Sequence, residues 1–363
     1  MIAVDAKWMS GSMRGMGRFA WQLIRPVNDQ VTALSPAGLR VEGLKGVESG
    51  RSFFPLWEQL YLPRLVKQCK PHVLLCPYNT GPLWRVKAPM LLVVHDLIFM
   101  RPLNELPASR SLYQTLGRYY RRIVVPKVVR QANHVITVSQ YTKQELVEKM
   151  GVAESRITVI PNAIGDDWFR EEPLPLEKRE PYLFTVAGES PSKNVPALIA
   201  AFGLARKKSL IRPDITLIIA GIPSTRHDYF RRLCQSEGLG NRDVIFDGYI
   251  SADELKSRYR LARGFIFASL FEGFGIPLLE ALASGTPIAC SNTTSIPEVV
   301  GEHARLFDPS DIRDIESSIV ALCDDQETLE FRRRAQSGRE RARGFSEDSV
   351  EKQIIRFWER FQC

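Results

Sequence analysis

Two doubly wound α/β domains in tandem are what this sequence predicts, and three observations carry the prediction. Strand-like apolar runs alternate with helix-like segments along nearly the whole chain. The 363 residues exceed what one hydrophobic core usually organises. A single polar, proline-rich stretch, Trp168 to Pro181, lacks periodicity and reads as a linker. The expected domains are 1–170 and 171–345, with 346–363 as a C-terminal helix.

In the first half the expected strands are I-A-V-D-A (2–6), V-T-A-L-S (31–35), H-V-L-L-C (72–76), M-L-L-V-V (90–94), H-V-I-T-V (134–138) and I-T-V-I (157–160). Ser139 opens the helix Y-T-K-Q-E-L-V-E-K-M. After the linker come Y-L-F-T-V-A (182–187), I-T-L-I-I-A (215–220), V-I-F-D (244–247), F-I-F-A (265–268), P-I-A-C (287–290) and A-R-L-F (304–307). The run F-I-F-A is short, apolar and aromatic, as a buried parallel strand is. S-A-D-E at Ser251 to Glu254 is a capping box that opens a helix. Ligands of such sheets bind at the strands' carboxyl ends, so a cleft between the domains is the expected site.

Composition narrows the class. A hydrophobic share of 44% and a charged share of 25% describe an ordinary globular chain. No apolar run approaches the ~20 residues of a membrane span, and M-I-A-V-D-A-K reads as a strand start and not as a signal peptide. The six cysteines form no C-x-x-C pair and several lie in apolar segments, which suits reduced core thiols in a cytoplasm. The five histidines are scattered. No metal site is expected.

Charge is uneven. Residues 1–170 hold 23 Lys and Arg against 12 Asp and Glu, whereas the remainder holds 26 against 29. Nine of the basic residues fall in 101–150, including R-Y-Y-R-R-I-V-V-P-K-V-V-R from Arg118 to Arg130. Interleaved bases, aromatics and aliphatics fit an anionic membrane surface, a solvated helix face, or nucleic acid.

The chemistry concentrates in the second half. After the strand ending at Ala268, Glu272 stands at a strand's carboxyl end, Gly273, Phe274, Gly275 and Ile276 form a turn, and Pro277 starts a helix that Gly285 ends. Glu280 rides the first turns of that helix. Either it favours the helix's positive end, or it meets hydroxyl or cationic partners, as a buried carboxylate must. The earlier turn G-E-S-P-S-K-N runs from Gly188 to Asn194, with Asn194 expected to cap the next helix. Free amides at that helix start, with Lys193 beside them, form an anion site. The two turns together would neutralise a diphosphate without a metal.

The spacing Glu272–x7–Glu280 resembles the E-x7-E motif of retaining glycosyltransferases of the GT-B fold, family 4 type. The resemblance covers nearly the whole chain. Gly15-Met16-Gly17-Arg18-Phe19 is similar to the G-x-G-R-[YF] turn of mannosyltransferase-like members. V-V-H-D-L (93–97), V-I-P-N-A (159–163), F-D-G-Y-I (246–250) and S-I-P-E-V-V-G (295–301) follow in family order.

The resemblance implies that Glu280 binds the ribose hydroxyls of a nucleotide sugar and that Glu272 faces the donor hexose. It implies that the amides of Phe274, Gly275 and Ile276 hold sugar and phosphate, that Lys193 contacts the diphosphate, and that Gly248, Tyr249 and Ile250 lie beside the base. His95 and Asp96 would touch the donor sugar or the reacting centre. Gly15 and Gly17 would let the first loop approach the diphosphate, and the C-terminal helix would cross back onto the first domain. One departure stands out: Ser192 precedes Lys193 where similar proteins often carry arginine. Arg18 is the candidate for the second cation.

The implied function is a metal-independent, retaining transfer of a hexose, mannose from GDP-mannose being favoured, to a lipid-linked or oligosaccharide acceptor. The setting would be surface polysaccharide synthesis, with the protein peripheral on the inner face of the cytoplasmic membrane and no nucleic-acid partner. Rival readings each meet an obstacle. Gly15-x-Gly17-x-x-Ala20 mimics a dinucleotide fingerprint but starts too far after its strand. A glycoside hydrolase pairs two carboxylates, but here they straddle a turn. A nucleotide-sugar epimerase, a phosphorylase or a non-catalytic nucleotide-sugar-binding protein on the same fold is the alternative.

Overall fold

The computed structural model describes residues 1–9, 15–107, 112–324 and 328–361. The chain divides into two compact units, one of Met1–Arg101, Arg110–Ala163 and Asp348–Cys363, the other of Pro102–Ser109 and Ile164–Glu347.

The first unit is built on β1 (Ile2–Asp5), β2 (Val31–Ser35), β3 (Lys45–Glu48), β4 (Val73–Cys76), β5 (Met90–Val94), β6 (His134–Thr137) and β7 (Ile157–Val159). They form one parallel sheet in the order β3-β2-β1-β4-β5-β6-β7. Six of these strands stand where the apolar runs predict them. The edge strand β3 was missed. Its sequence K-G-V-E offers no apolar run because none of its residues is buried.

The second unit carries β8 (Glu180–Val186), β9 (Thr216–Ala220), β10 (Val244–Gly248), β11 (Ala262–Phe267), β12 (Ile288–Ser291) and β13 (Arg305–Phe307). These too are parallel, in the order β10-β9-β8-β11-β12-β13. In both sheets the winding reverses beside the first strand, which in the second lies between β8 and β11. That switch point is where open α/β sheets bind ligands.

Helix Glu347–Glu359 belongs to the first unit from Asp348 onward, and its apolar residues recur on one face. Val350, Ile354, Phe357 and Trp358 are buried, each contributing roughly 1.5–3 kcal/mol by leaving water. Trp358 Nε1 donates to the Leu23 carbonyl at 2.7 Å, and Arg25 pairs with Glu351 at 3.2 Å.

Two local expectations are corrected here. Gly15, Gly17 and Arg18 are not a loop but the opening residues of helix Gly15–Ile24. The stretch expected as a linker is tied down within the second unit: Arg179 donates to the carbonyls of Leu174, Arg260, Ala262 and Gly285. One guanidinium thereby satisfies four carbonyls, which substitutes for the missing regular structure.

The basic segment forms helix Leu112–Gln131. Val124, Val125, Val128 and Val129 are buried. Arg118 donates to the Arg101 carbonyl at 2.6 Å, and Arg122 to the Phe99 carbonyl at 2.6 Å. Two of the arginines expected to face solvent or lipid are therefore engaged in fixing the turn after β5. Tyr119, Ile123, Lys127 and Arg130 remain exposed. Among the described residues, no helix is long and apolar enough to cross a membrane.

Candidate functional site

The second unit's site forms where β8 and β11 end. The turn after β8 passes through Gly188 and one 3-10 turn, Pro191–Lys193, before helix Val195–Lys207. The turn after β11 runs through Glu272 to Gly275 before helix Ile276–Ala283. The Leu270 amide donates to the Ser192 carbonyl at 2.7 Å and ties the two turns together.

Lys193 and Glu272 meet there. The ammonium lies 2.6 Å from Glu272 Oε1, with side-chain exposures of 25% and 13%, so the pair is partly shielded yet reachable. Lys193 also lies 5.5 Å from the Phe267 ring centroid. This charge-assisted contact is of the strong kind. It gives each residue a partner of the right sign while leaving the remaining ammonium hydrogens to an anion.

Gly275 adopts φ +107°, which a residue with a side chain rarely does. Gly188 has ordinary φ and open space where a Cβ would sit, so nothing within the chain demands glycine there. Pro277 stands in the helix's first turn and Gly285 follows its end at φ +63°, as predicted.

Asn194 does not cap its helix. Its backbone is left-handed, and its side chain donates to the Pro309 carbonyl at 2.8 Å. The opening amides of Val195–Lys207 therefore lack that side-chain acceptor. Ser251 and Ser139 do cap their helices, accepting from Glu254 and Thr142 amides.

Glu280 is 7% exposed, and Tyr259, fully buried, donates its hydroxyl to Glu280 Oε2 at 2.9 Å. Burial and the neighbouring carboxylate hold the Tyr259 phenol far above its usual range, so it stays a donor. Gly248 takes φ +66° at the end of β10, followed by half-buried Ile250 and exposed Tyr249. That strand lies two positions from β8.

Arginine at this end of the sheet comes from a place the sequence reading did not consider. Arg226 pairs with Glu189 at 3.1 Å, in the Gly188–Asn194 turn itself. Thr294 and Ser295, behind β12, were also missed: Thr294 Oγ1 accepts from the Glu272 amide, and Ser295 Oγ reaches the carbonyls of Glu272 and Phe274. The S-I-P-E motif marks the place but not the contacts.

In the first unit His95 and Asp96 follow β5. The Phe19 ring meets the His95 ring edge-on at 5.2 Å, which brings the Gly15–Phe19 and His95–Asp96 motifs together. His95 Nε2 lies 2.9 Å from the Pro77 carbonyl and its amide donates to Asn79 Oδ1 at 2.6 Å. A carbonyl only accepts, so Nε2 carries the hydrogen and Nδ1 keeps its lone pair. Burial lowers the His95 pKa to about 4, which keeps the ring neutral near pH 7. Asp96 Oδ1 accepts from the Ile98 amide at 3.1 Å. Arg18 is exposed.

Residues 166–341 match the family Glycosyl transferases group 1, and residues 15–168 match Glycosyltransferase Family 4. A serotype-specific mannosyltransferase WbdA of Escherichia coli is 32% identical over 236 residues, covering 61% of this chain and 28% of that protein. The O-antigen chain mannosyltransferase B of Escherichia coli is 29% identical over 208 residues, covering 55% of this chain and 54% of the relative. The chain thus matches between about a quarter and half of the length of these relatives. In fold it is similar to Anabaena HepE, solved with UDP and glucose, at a TM-score of 0.73 and 19% identity over 99% of both chains. With family matches running through residues 15–341 on two doubly wound parallel sheets, the chain belongs to the glycosyltransferases of the GT-B fold, family 4 type, and is similar to its mannosyltransferases.

Proposed function

We propose that the protein is a retaining hexosyltransferase that moves mannose from GDP-mannose to a lipid-linked or oligosaccharide acceptor in surface polysaccharide synthesis. The observation that carries this reading is the Lys193–Glu272 pair at the β8/β11 switch point, a cation for a diphosphate beside a carboxylate for sugar hydroxyls. The names of WbdA and mannosyltransferase B support mannose as the hexose. The HepE complex supports a nucleotide sugar as the donor class.

On this reading the diphosphate lies against Lys193 and the amides of Phe274, Gly275 and Ile276, with Gly188 leaving room for its approach. Glu280 accepts from the ribose hydroxyls, and Gly248 to Ile250 flank the base. Glu272 accepts from hexose hydroxyls and steadies the positive charge that develops at the anomeric carbon. The acceptor oxygen bonds to that carbon on the face the diphosphate leaves, and its proton passes to the departing phosphate oxygen. Neutral His95 offers Nδ1 to a sugar hydroxyl, with Asp96 beside it. Leaving-group charge is met by Lys193, backbone amides and helix starts, so the reaction proceeds without a metal. The first unit serves the acceptor, and its exposed Tyr119, Ile123, Lys127 and Arg130 attach it to the anionic inner face of the cytoplasmic membrane.

A thermal-shift panel of nucleoside diphosphates and nucleotide sugars tests the donor. GDP and GDP-mannose are expected to raise Tm most, since binding to the folded state alone stabilises it. Selective stabilisation by UDP and UDP-glucose replaces the donor, and no response to any nucleotide refutes the reading.

A further inference from the structure

Glu272 is held by two hydroxyls that come from another strand's loop. Its amide donates to Thr294 Oγ1 at 3.2 Å. On the other side Ser295 Oγ lies 3.1 Å from the Glu272 carbonyl and 3.0 Å from that of Phe274. Ser295 is fully buried. A turn that offers amides to an anion must direct carbonyls inward, and inward carbonyls need donors.

Thr294 supplies a second, independent sign. Its φ is +56°, a left-handed conformation that a β-branched residue rarely adopts. Glycine or asparagine would relax it. What threonine adds at that cost in backbone strain is the hydroxyl on the Glu272 amide, and strain of this kind collects at functional sites.

We propose that Thr294 and Ser295 are positioning residues for sugar transfer, which clamp the Glu272–Phe274 turn so that the carboxylate meets the donor hexose. The proposal rests on Glu272 facing the hexose. It assigns the loop after β12 a role in turnover and not in nucleotide affinity.

The test exploits the strain. Thr294→Gly should keep Tm at or above the wild-type value while kcat for GDP release from GDP-mannose falls about 10- to 100-fold, the range small misplacements cost. KM should change little, and Thr294→Ser should restore most of the rate. UDP-glucose serves as the second donor probe. Hydrogen exchange over residues 270–277 should quicken in Thr294→Gly and Ser295→Ala, whatever the donor. Unchanged exchange in both variants overturns the clamp. A fall of Tm and kcat together in Thr294→Gly, or an unaltered kcat, overturns the positioning role. If Glu272→Gln itself keeps full turnover while exchange still responds, the clamp stands and the reading of Glu272 fails.

Discussion

Lys193 Nζ and Glu272 Oε1 lie 2.6 Å apart, although 79 residues separate them and each follows a different strand. The pair exists only because β8 and β11, first and fourth of the second unit's strands in chain order, are neighbours in the sheet. A bound diphosphate must share or take the ammonium. Glu272→Gln should therefore leave GDP affinity unchanged or improve it, while turnover falls. Lys193→Ala should weaken GDP about 10- to 100-fold, the scale of one charge-assisted contact. Calorimetry on both variants decides, and equal loss of GDP affinity in the two would refute this division.

Glu280 and Tyr259 form a second unit of function. Glu280→Gln should lower GDP affinity, since a carboxylate accepts from both ribose hydroxyls and an amide does not. Tyr259→Phe removes the donor to Oε2 and should cost about 1 kcal/mol of stability, with a smaller loss of GDP affinity. If Tyr259→Phe binds GDP as the wild type does, the phenol serves the core alone.

Buried titratable groups in the first unit set opposing pH slopes. Burial holds His95 at about 4, and burial with the Arg360 and Arg156 charges holds His134 at about 4. Unfolded imidazoles titrate at about 6.5, so the unfolded chain binds more protons between those values. This stability is complete above about pH 6.5 and is lost as pH falls toward 4. Glu58 acts the other way. Fully buried, and accepting from Thr80, Tyr120 and Gln59, it is raised to about 8 by burial, with the Asp5 charge adding. Its stabilising share is present below about 4.5 and is lost as pH rises through 8. Melting curves should show Glu58→Gln flattening the decline between pH 5 and 8, and His95→Gln flattening the rise between 4 and 6.5. Parallel wild-type and Glu58→Gln curves would contradict the assignment.

Transfer should survive excess EDTA, because Lys193 and the two helix starts meet the diphosphate charge. Loss of activity on chelation, restored by manganese or magnesium, would show that a cation is required.

Anionic vesicles should separate the arginines of helix Leu112–Gln131. Lys127→Gln with Arg130→Gln should reduce binding, most clearly at low salt, since each exposed base is worth roughly 1 kcal/mol near such a surface. Arg122→Gln should lower Tm instead, because its guanidinium holds the Phe99 carbonyl. Unaltered sedimentation of the Lys127/Arg130 variant would make the segment a solvated face.

The strands were legible because a parallel strand covered on both faces is apolar at most positions, and such runs stand out without any knowledge of neighbours. β3 escaped for the same reason reversed: a short edge with Lys45 and Glu48 packs only half-buried Val47 against the core, so its composition says little. Helix 276–283 was readable because Pro277 and Gly285 act locally, through their own backbone limits. The spacing from Glu272 to Glu280 was likewise local, a turn and the start of a helix. What tertiary structure alone decided were partnerships. Strand order brought Lys193 to Glu272, placed Thr294 and Ser295 behind the same turn, and set Tyr259 under Glu280. It also turned Arg118 and Arg122 from expected surface charges into donors for the carbonyls of Arg101 and Phe99. A side chain's partner depends on which strands lie side by side, and no periodicity along one segment encodes that.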